Sequence, residues 1–251
     1  MNEKYTYLLV ELSCIAVPLI SSFHPKIQFF VAWKSLIVAI LGMMALFIPA
    51  DILFTHWGVW GFQEKYTLGI FFFNLPIEEY LFFICIPYAS VFTYYCLRKL
   101  LPASRTYNMF TSIAWVYLFL NLFIAITFYY RIYTFTYHLF AAILLAWHLV
   151  WRKSNYIGLF TFTYSLILIP FILSNGVLTG LAFWKYPLLN VHPELINSCI
   201  VWYDDLENLG IRLFSIPLDD IAYGCSMLIT TVTLFEAMEA RKIASIQLTK
   251  K

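Results

Sequence analysis

Two short runs of the chain place adjacent carboxylic acids just behind a proline. Asn74-Leu75-Pro76-Ile77-Glu78-Glu79 and Ser215-Ile216-Pro217-Leu218-Asp219-Asp220 share one order: polar residue, apolar residue, proline, apolar residue, two acids. They lie 141 residues apart, and Leu68-Gly69-Ile70 and Leu209-Gly210-Ile211 repeat at the same spacing. Side-by-side carboxyls in a low dielectric can hold a single proton between them at neutral pH, which suits acid–base chemistry. A structural account competes with this one. Asn74 and Ser215 read as helix N-caps, Pro76 and Pro217 suit a first turn, and acids at a helix start complement its dipole. That account covers one acid per helix better than two, and ionisable groups at membrane depth are functional candidates by default.

The elements that position these acids are membrane helices. The 251 residues are 62% hydrophobic, 20% aromatic and only 12% charged. A soluble domain carries about twice that charge. The composition excludes a soluble enzyme, a nucleic-acid-binding domain and a disordered chain. Seven apolar segments run roughly over 5–21, 29–52, 76–97, 107–129, 133–151, 157–184 and 217–240. Each approaches the ~20 residues that a helix needs to cross the hydrocarbon, and none shows the alternation of a barrel strand. The expected fold is an all-α integral membrane protein of seven transmembrane helices.

Charge in the loops orients it. With the N-terminus outside, the inner side holds ten basic residues: Lys26, Arg98, Lys99, Arg105, Arg152, Lys153, Arg241, Lys242, Lys250 and Lys251. The outer side holds five, Lys4, Lys65, Arg131, Lys185 and Arg212. The positive-inside rule then favours N-out and C-in, with long outer loops at about 53–75 and 185–216. The first helix lacks the features of a cleaved signal peptide and reads as retained. The repeat divides the chain into a first unit at 1–104 with three helices, a linker helix at 105–131, and a second three-helix unit at 132–251. One linker crossing makes the two units parallel, related by a pseudo-twofold along the membrane normal. Both acid pairs then sit at the outer ends of helices and converge on one cavity.

Other residues fall around that cavity or compete with it. Glu11 and Lys34 lie at helix depth, where an ion pair between them is the plainer reading and a proton path through Glu11 the sharper one. Asp51 faces the outer side like the acid pairs, and Asp51-Ile52-Leu53-Phe54-Thr55 is weakly echoed by Asn175-Gly176-Val177-Leu178-Thr179. Fifty aromatic residues supply interface belts and packing, and rings also stabilise cations. Those near the acids, Phe72, Tyr80, Phe82, Phe83 and Tyr223, are the candidates for binding. Asp204-Asp205-Leu206-Glu207 resembles half of a magnesium site without its second half and reads as a solvated loop. The five cysteines are scattered, the histidines show no ligand spacing, and no nucleotide-binding glycine pattern is present. No metal is expected.

Pro76-Ile77-Glu78-Glu79-Tyr80-Leu81-Phe82-Phe83 resembles the PxE(E/D) signature of the integral-membrane lycopene cyclase family, found as two small subunits or as tandem domains. Asp51–Thr55 with Trp60-Gly61-Phe62 resembles the stretch before that signature. Asn175–Gly180, Val201-Trp202-Tyr203, Asn208–Arg212 and Ile216–Asp220 resemble the second domain. Asp219 departs from the glutamate more common at its place, and the shorter arm suggests that this half positions rather than protonates. The resemblance implies closure of the linear ends of lycopene into beta-ionone rings, through gamma-carotene to beta-carotene, without flavin or other cofactor. It implies Glu78 and Glu79 as proton donor and cation stabiliser, and Asp219 and Asp220 as partner acids or base. Pro76, Pro217, Asp51, Asn175, Glu11 and Arg212 support them. The implied partners are the polyene, the bilayer of the cell membrane and, in that bilayer, other enzymes of the carotenoid pathway; nucleic acid is not one. A small parallel-repeat transporter and another carotenoid-modifying enzyme, a hydratase or a monocyclase, are the competing readings.

Overall fold

A computed structural model describes residues 3–101 and 105–249. The expected domain boundary at Ser104, and Lys250 and Lys251 of the inner charge set, lie outside the described residues. Among the described residues seven helices are long and apolar enough to cross a bilayer, and the chain is a multi-pass integral membrane protein. They are α1 (Thr6–Ser21), α2 (Trp33–His56), α3 (Ile77–Leu100), α4 (Arg105–Thr127), α5 (Ile132–Ala146), α6 (Ile157–Thr179) and α7 (Asp219–Thr249). A π-helical turn, Trp147–Trp151, extends α5. Within it His148 is held from both ring nitrogens, at 2.8 Å from the Ser154 and Thr233 hydroxyls; widened turns of this kind accommodate such insertions.

Helix packing follows a pattern. α3 packs on α1 and on α6, while α7 packs on α5 and on α2; α4 lies against α5 and α6. The side chains that α1 buries are few, Tyr7 and Glu11, and Leu9, Leu12, Val17, Leu19 and Ile20 are exposed along it, as a lipid-facing helix requires.

Two long connections cap one end of the bundle. The α2–α3 connection contains β1 (Trp60–Phe62), β2 (Phe71–Phe72) and β3 (Leu75–Pro76). The α6–α7 connection contains β4 (Leu189–Asn190), β5 (Val201–Tyr203), β6 (Arg212–Leu213) and β7 (Ile216–Pro217). β1 and β5 pair antiparallel, with Trp60 opposite Tyr203 and Gly61 opposite Trp202, and this pairing joins the two connections. β2–β3 and β6–β7 are tight hairpins that lead directly into α3 and α7.

Three expectations change here. The sixth apolar segment does not remain helical to Trp184. α6 stops at Thr179, where Gly180 is extended and Leu181 N–H turns to the Ser198 carbonyl. Asn74 and Ser215 are not N-caps. Asn74 (φ 70°) and Phe73 (φ 47°) form the two-residue turn of the β2–β3 hairpin, a turn that needs positive φ at both positions. The Ser215 hydroxyl, in the matching turn, bonds to the Thr179 hydroxyl and donates to the Gly176 carbonyl. Pro76 and Pro217 accordingly end hairpin strands rather than occupying a first helical turn.

Gly61 lies directly against Trp202 of the other connection. A Cβ there would lie 2.4 Å from Cζ2 of Trp202. Gly61→Ala is expected to cost about 1–3 kcal/mol by overpacking, measured as a lower melting temperature of the purified protein in detergent.

Candidate functional site

The acids reach the site through the hairpins. In each, the segment before the hairpin turns back through a glycine with positive φ, Gly69 (79°) or Gly210 (69°), a conformation glycine adopts without a Cβ penalty. That bend aims a backbone N–H at the first acid of each motif. Leu68 N–H donates to Glu78 Oε1 at 2.6 Å, and Leu209 N–H donates to Asp219 Oδ2 at 3.0 Å. Ile77 N–H to the Ile70 carbonyl (2.9 Å) and Leu218 N–H to the Ile211 carbonyl (3.1 Å) repeat the same construction.

Neighbouring residues on a helix diverge by about 100°. With the first acids directed at backbone, the second acids, Glu79 and Asp220, face a cavity of about 300 Å³ that Glu78 and Asp219 do not line. The two second acids receive hydrogen bonds from opposite halves of the chain. Tyr7 Oη donates to Glu79 Oε2 at 2.5 Å. Three donors converge on Asp220: Tyr133 Oη at 2.6 Å, Asn175 Nδ2 at 2.7 Å and Tyr203 Oη at 3.0 Å. Burial, and then the Asp220 charge, push the Tyr203 phenol well above its ordinary range, so this hydroxyl stays a donor. The first acids differ between the halves too. Asp219 Oδ1 accepts from Thr134 Oγ1 at 2.6 Å, whereas Glu78 Oε2 is buried without a partner.

The cavity runs inward between α1, α3, α6 and α7. Along α3 its wall continues from Glu79 through Phe82, Ile86 and Ala89 to Thr93, which at 1.5 Å per residue is about 21 Å. Its lower wall is mostly apolar and includes Gly224, Met227 and Leu228 of α7 and Ile167 and Phe171 of α6, with the hydroxyls of Ser90 and Thr93 among them. Its outer end is roofed by the β1–β5 pair. There Trp60 and Tyr133 meet edge to face at 5.1 Å and Tyr133 stacks on Tyr203 at 6.0 Å, with Trp60 6.3 Å from Tyr223. Among the described residues no Lys, Arg or His lines this cavity.

The other sequence candidates divide. Asp51, Asn175, Phe82 and Tyr223 line the cavity. Phe72, Tyr80 and Phe83 do not. Phe72 is half exposed on the hairpin, Tyr80 Oη donates to the Phe72 carbonyl at 3.0 Å, and Phe83 is fully buried in the helix core. Glu11 is fully buried with both oxygens unpartnered, and Lys34 is exposed, so the ion pair expected between them is absent. Arg212 acts at one remove. It pairs with Asp205 at 2.8 and 3.0 Å, donates to the Ser215 carbonyl, and lies 5.5 Å from the Tyr203 ring. Asp205 is thus a partner of Arg212, and Glu207 accepts from Ile132 N–H at 3.1 Å. Their run is an ordered brace rather than a solvated loop.

Tyr7 and Tyr133 were not singled out from the sequence, and Trp60 and Tyr203 stood there only within the resembling stretches, with no site role. The available signal was a pair of tyrosines at matching places, Tyr7 and Tyr133, near the start of the first helix of each half. Both turn out to be hydroxyl donors to the second acid of their own half.

A family model described as lycopene cyclase matches residues 4–97 and 130–238. No curated protein and no solved structure matches the chain.

Thr134→Val keeps the shape of the side chain and removes the donor to buried Asp219. It is expected to lower stability by about 1–3 kcal/mol, read as a downward shift of the unfolding midpoint of the detergent-solubilised protein.

Proposed function

The chain belongs to the lycopene cyclase family, and on that premise we propose that it closes the linear ends of lycopene to beta-ionone rings, through gamma-carotene to beta-carotene. One observation carries the reading. Two carboxyls, Glu79 and Asp220, meet at the roofed end of a long apolar shaft with no basic side chain in its walls. A hydrocarbon that dissolves in the bilayer fits the shaft, and the acids stand where its end arrives.

The reaction moves protons and electrons only within the substrate and the site. Protonation at C2 of the terminal double bond puts positive charge on C1. The C5–C6 double bond attacks C1, the charge moves to C5, and loss of the C6 proton gives the ring. Asp220, fixed by three donors, is the counter-ion of the cation; electrostatics set in place beforehand are usually the largest catalytic contribution. Glu79, with one donor, exchanges protons with the substrate. The rings of Trp60, Tyr133, Tyr203 and Tyr223 present π faces and edges to the charge. The aromatic roof keeps out water, which would trap the cation as an alcohol. Glu78 and Asp219 hold the second acids in place through the loop N–H bonds.

We read the chain as the tandem form of the family, oriented N-out and C-in in the cell membrane. Several facts support the tandem arrangement. The family model matches in two segments. The hairpin, the glycine turn and the bond from loop N–H to first acid recur at a spacing of 141. α3 and α7 each pack on the first helix of their own half and on the middle helix of the other.

Cells that accumulate lycopene test the reading. Expression of the chain should yield gamma- and beta-carotene, and unchanged lycopene despite verified membrane insertion would sink it. In heavy water each ring formed should carry one deuterium at C2. Glu79→Gln and Asp220→Asn should each lower cyclisation at least about 100-fold. Glu78→Gln keeps an amide oxygen for Leu68 N–H and should stay within about tenfold of wild type; pigment yield per unit of membrane-inserted protein measures both.

A further inference from the structure

A third carboxyl opens onto the same cavity. Asp51, near the outer end of α2, lines it and is only 2% exposed. Its Oδ2 is buried without a hydrogen-bond partner; the side-chain hydroxyl that interacts with this carboxyl is that of Tyr223, and among the described residues no cation lines the cavity beside it. The middle helix of the second half carries Asn175 at the echoing place, and Asn175 donates to Asp220. Asp51 has no such attachment.

We propose that Asp51 is a further catalytic residue, the donor of the proton that starts ring closure, and that Glu79 takes up the proton from C6. The inference rests on the cyclisation reading. An ionised carboxylate can only accept hydrogen bonds, so the donors present sort the three cavity acids. Asp220 has three donors, Glu79 has the Tyr7 hydroxyl at 2.5 Å, and Asp51 is the cavity acid with a buried oxygen that no donor reaches. With no Lys, Arg or His in the walls, three negative charges in one apolar cavity would stand uncompensated. The acid with a buried oxygen left without a donor is the one that holds the proton, and a carboxylic acid kept neutral by an apolar setting is a proton donor at neutral pH. Glu11 is also buried and unpartnered, but it does not line the cavity. It has no access to the substrate.

The cycle balances. The Asp51 O–H bond breaks as the C2–H bond forms, C1–C6 closes, and the C6–H electrons become the C5–C6 double bond as Glu79 accepts that proton. In the emptied cavity Glu79 releases that proton to solvent and Asp51 takes one up, which restores the start, and no co-reactant is consumed.

Two substrates separate donor from acceptor. Lycopene requires protonation of an alkene. Its 1,2-epoxide offers a more basic oxygen that a weaker acid can activate, and both substrates require the same loss of the C6 proton. Membranes holding wild type, Asp51→Asn, Asp51→Ser, Asp51→Glu and Glu79→Gln are given each substrate. The Asn and Ser variants should lose lycopene cyclisation at least about 100-fold while keeping epoxide cyclisation within about tenfold. Asp51→Glu should recover part of the lycopene activity, and Glu79→Gln should lose both. Lycopene cyclisation at wild-type rate in the Asn or Ser variant would overturn the proposal. So would equal loss on both substrates with normal amounts of inserted protein, the pattern of a merely positioning residue. Wild-type membranes that leave lycopene unchanged would instead overturn the cyclase reading itself.

Discussion

A carboxylate taken out of water must be given hydrogen-bond donors, and in a chain this poor in basic residues the donors come mostly from the backbone and from tyrosines. The bonds from Leu68 N–H to Glu78 and from Leu209 N–H to Asp219 are the first instance. Each ties one of the two long connections to the start of a helix and fixes the rotation of that helix. The second acid is thereby turned into the cavity. The glycines at 69 and 210, the hairpins and the prolines that end them all serve to bring one N–H to one carboxyl.

A second set of donors joins the helices to one another. Tyr7 crosses from α1 to α3, and Tyr133 from α5 to α7. Tyr203 descends from the roof, itself braced by Arg212 and Asp205. The halves are built alike and are equipped differently: Asp219 has a threonine donor that Glu78 lacks, and Asp220 has an asparagine donor where the echoing Asp51 brings another acid. A site that handles a cation gains from such inequality. In the proposed reaction one carboxyl would serve as a fixed counter-ion, while the others would give up and receive protons.

Much of this was legible in the sequence. The shortage of charge announced the bilayer, and apolar length gave seven helices whose cores lie close to the segments expected. The repeat spacing picked out the two acid motifs, because their bonding is local: ten residues separate each first acid from its N–H donor. What escaped was long-range or rotational. No spacing reveals that Tyr7 reaches Glu79 across 72 positions, or Tyr133 reaches Asp220 across 87. Among many aromatics, nearness in sequence favoured Phe72, Tyr80 and Phe83, which point away from the cavity, over Trp60 and Tyr203, which strand pairing carries in. Asn74 looked like a helix cap because asparagine suits caps and left-handed turns for related reasons, and only the hairpin distinguishes the two.

The shaft is roofed at the end that holds its acids. On the proposed function, a rod-like substrate with two reactive termini would present them only in turn, and after one terminus had reacted the rod would have to back out and reverse before the other could arrive. Between those visits the half-finished molecule lies in the lipid among unreacted ones and competes with them for the shaft. The ratio of singly to doubly finished product then becomes a property of membrane supply: an excess of fresh substrate favours molecules finished at one end, and scarcity favours completion.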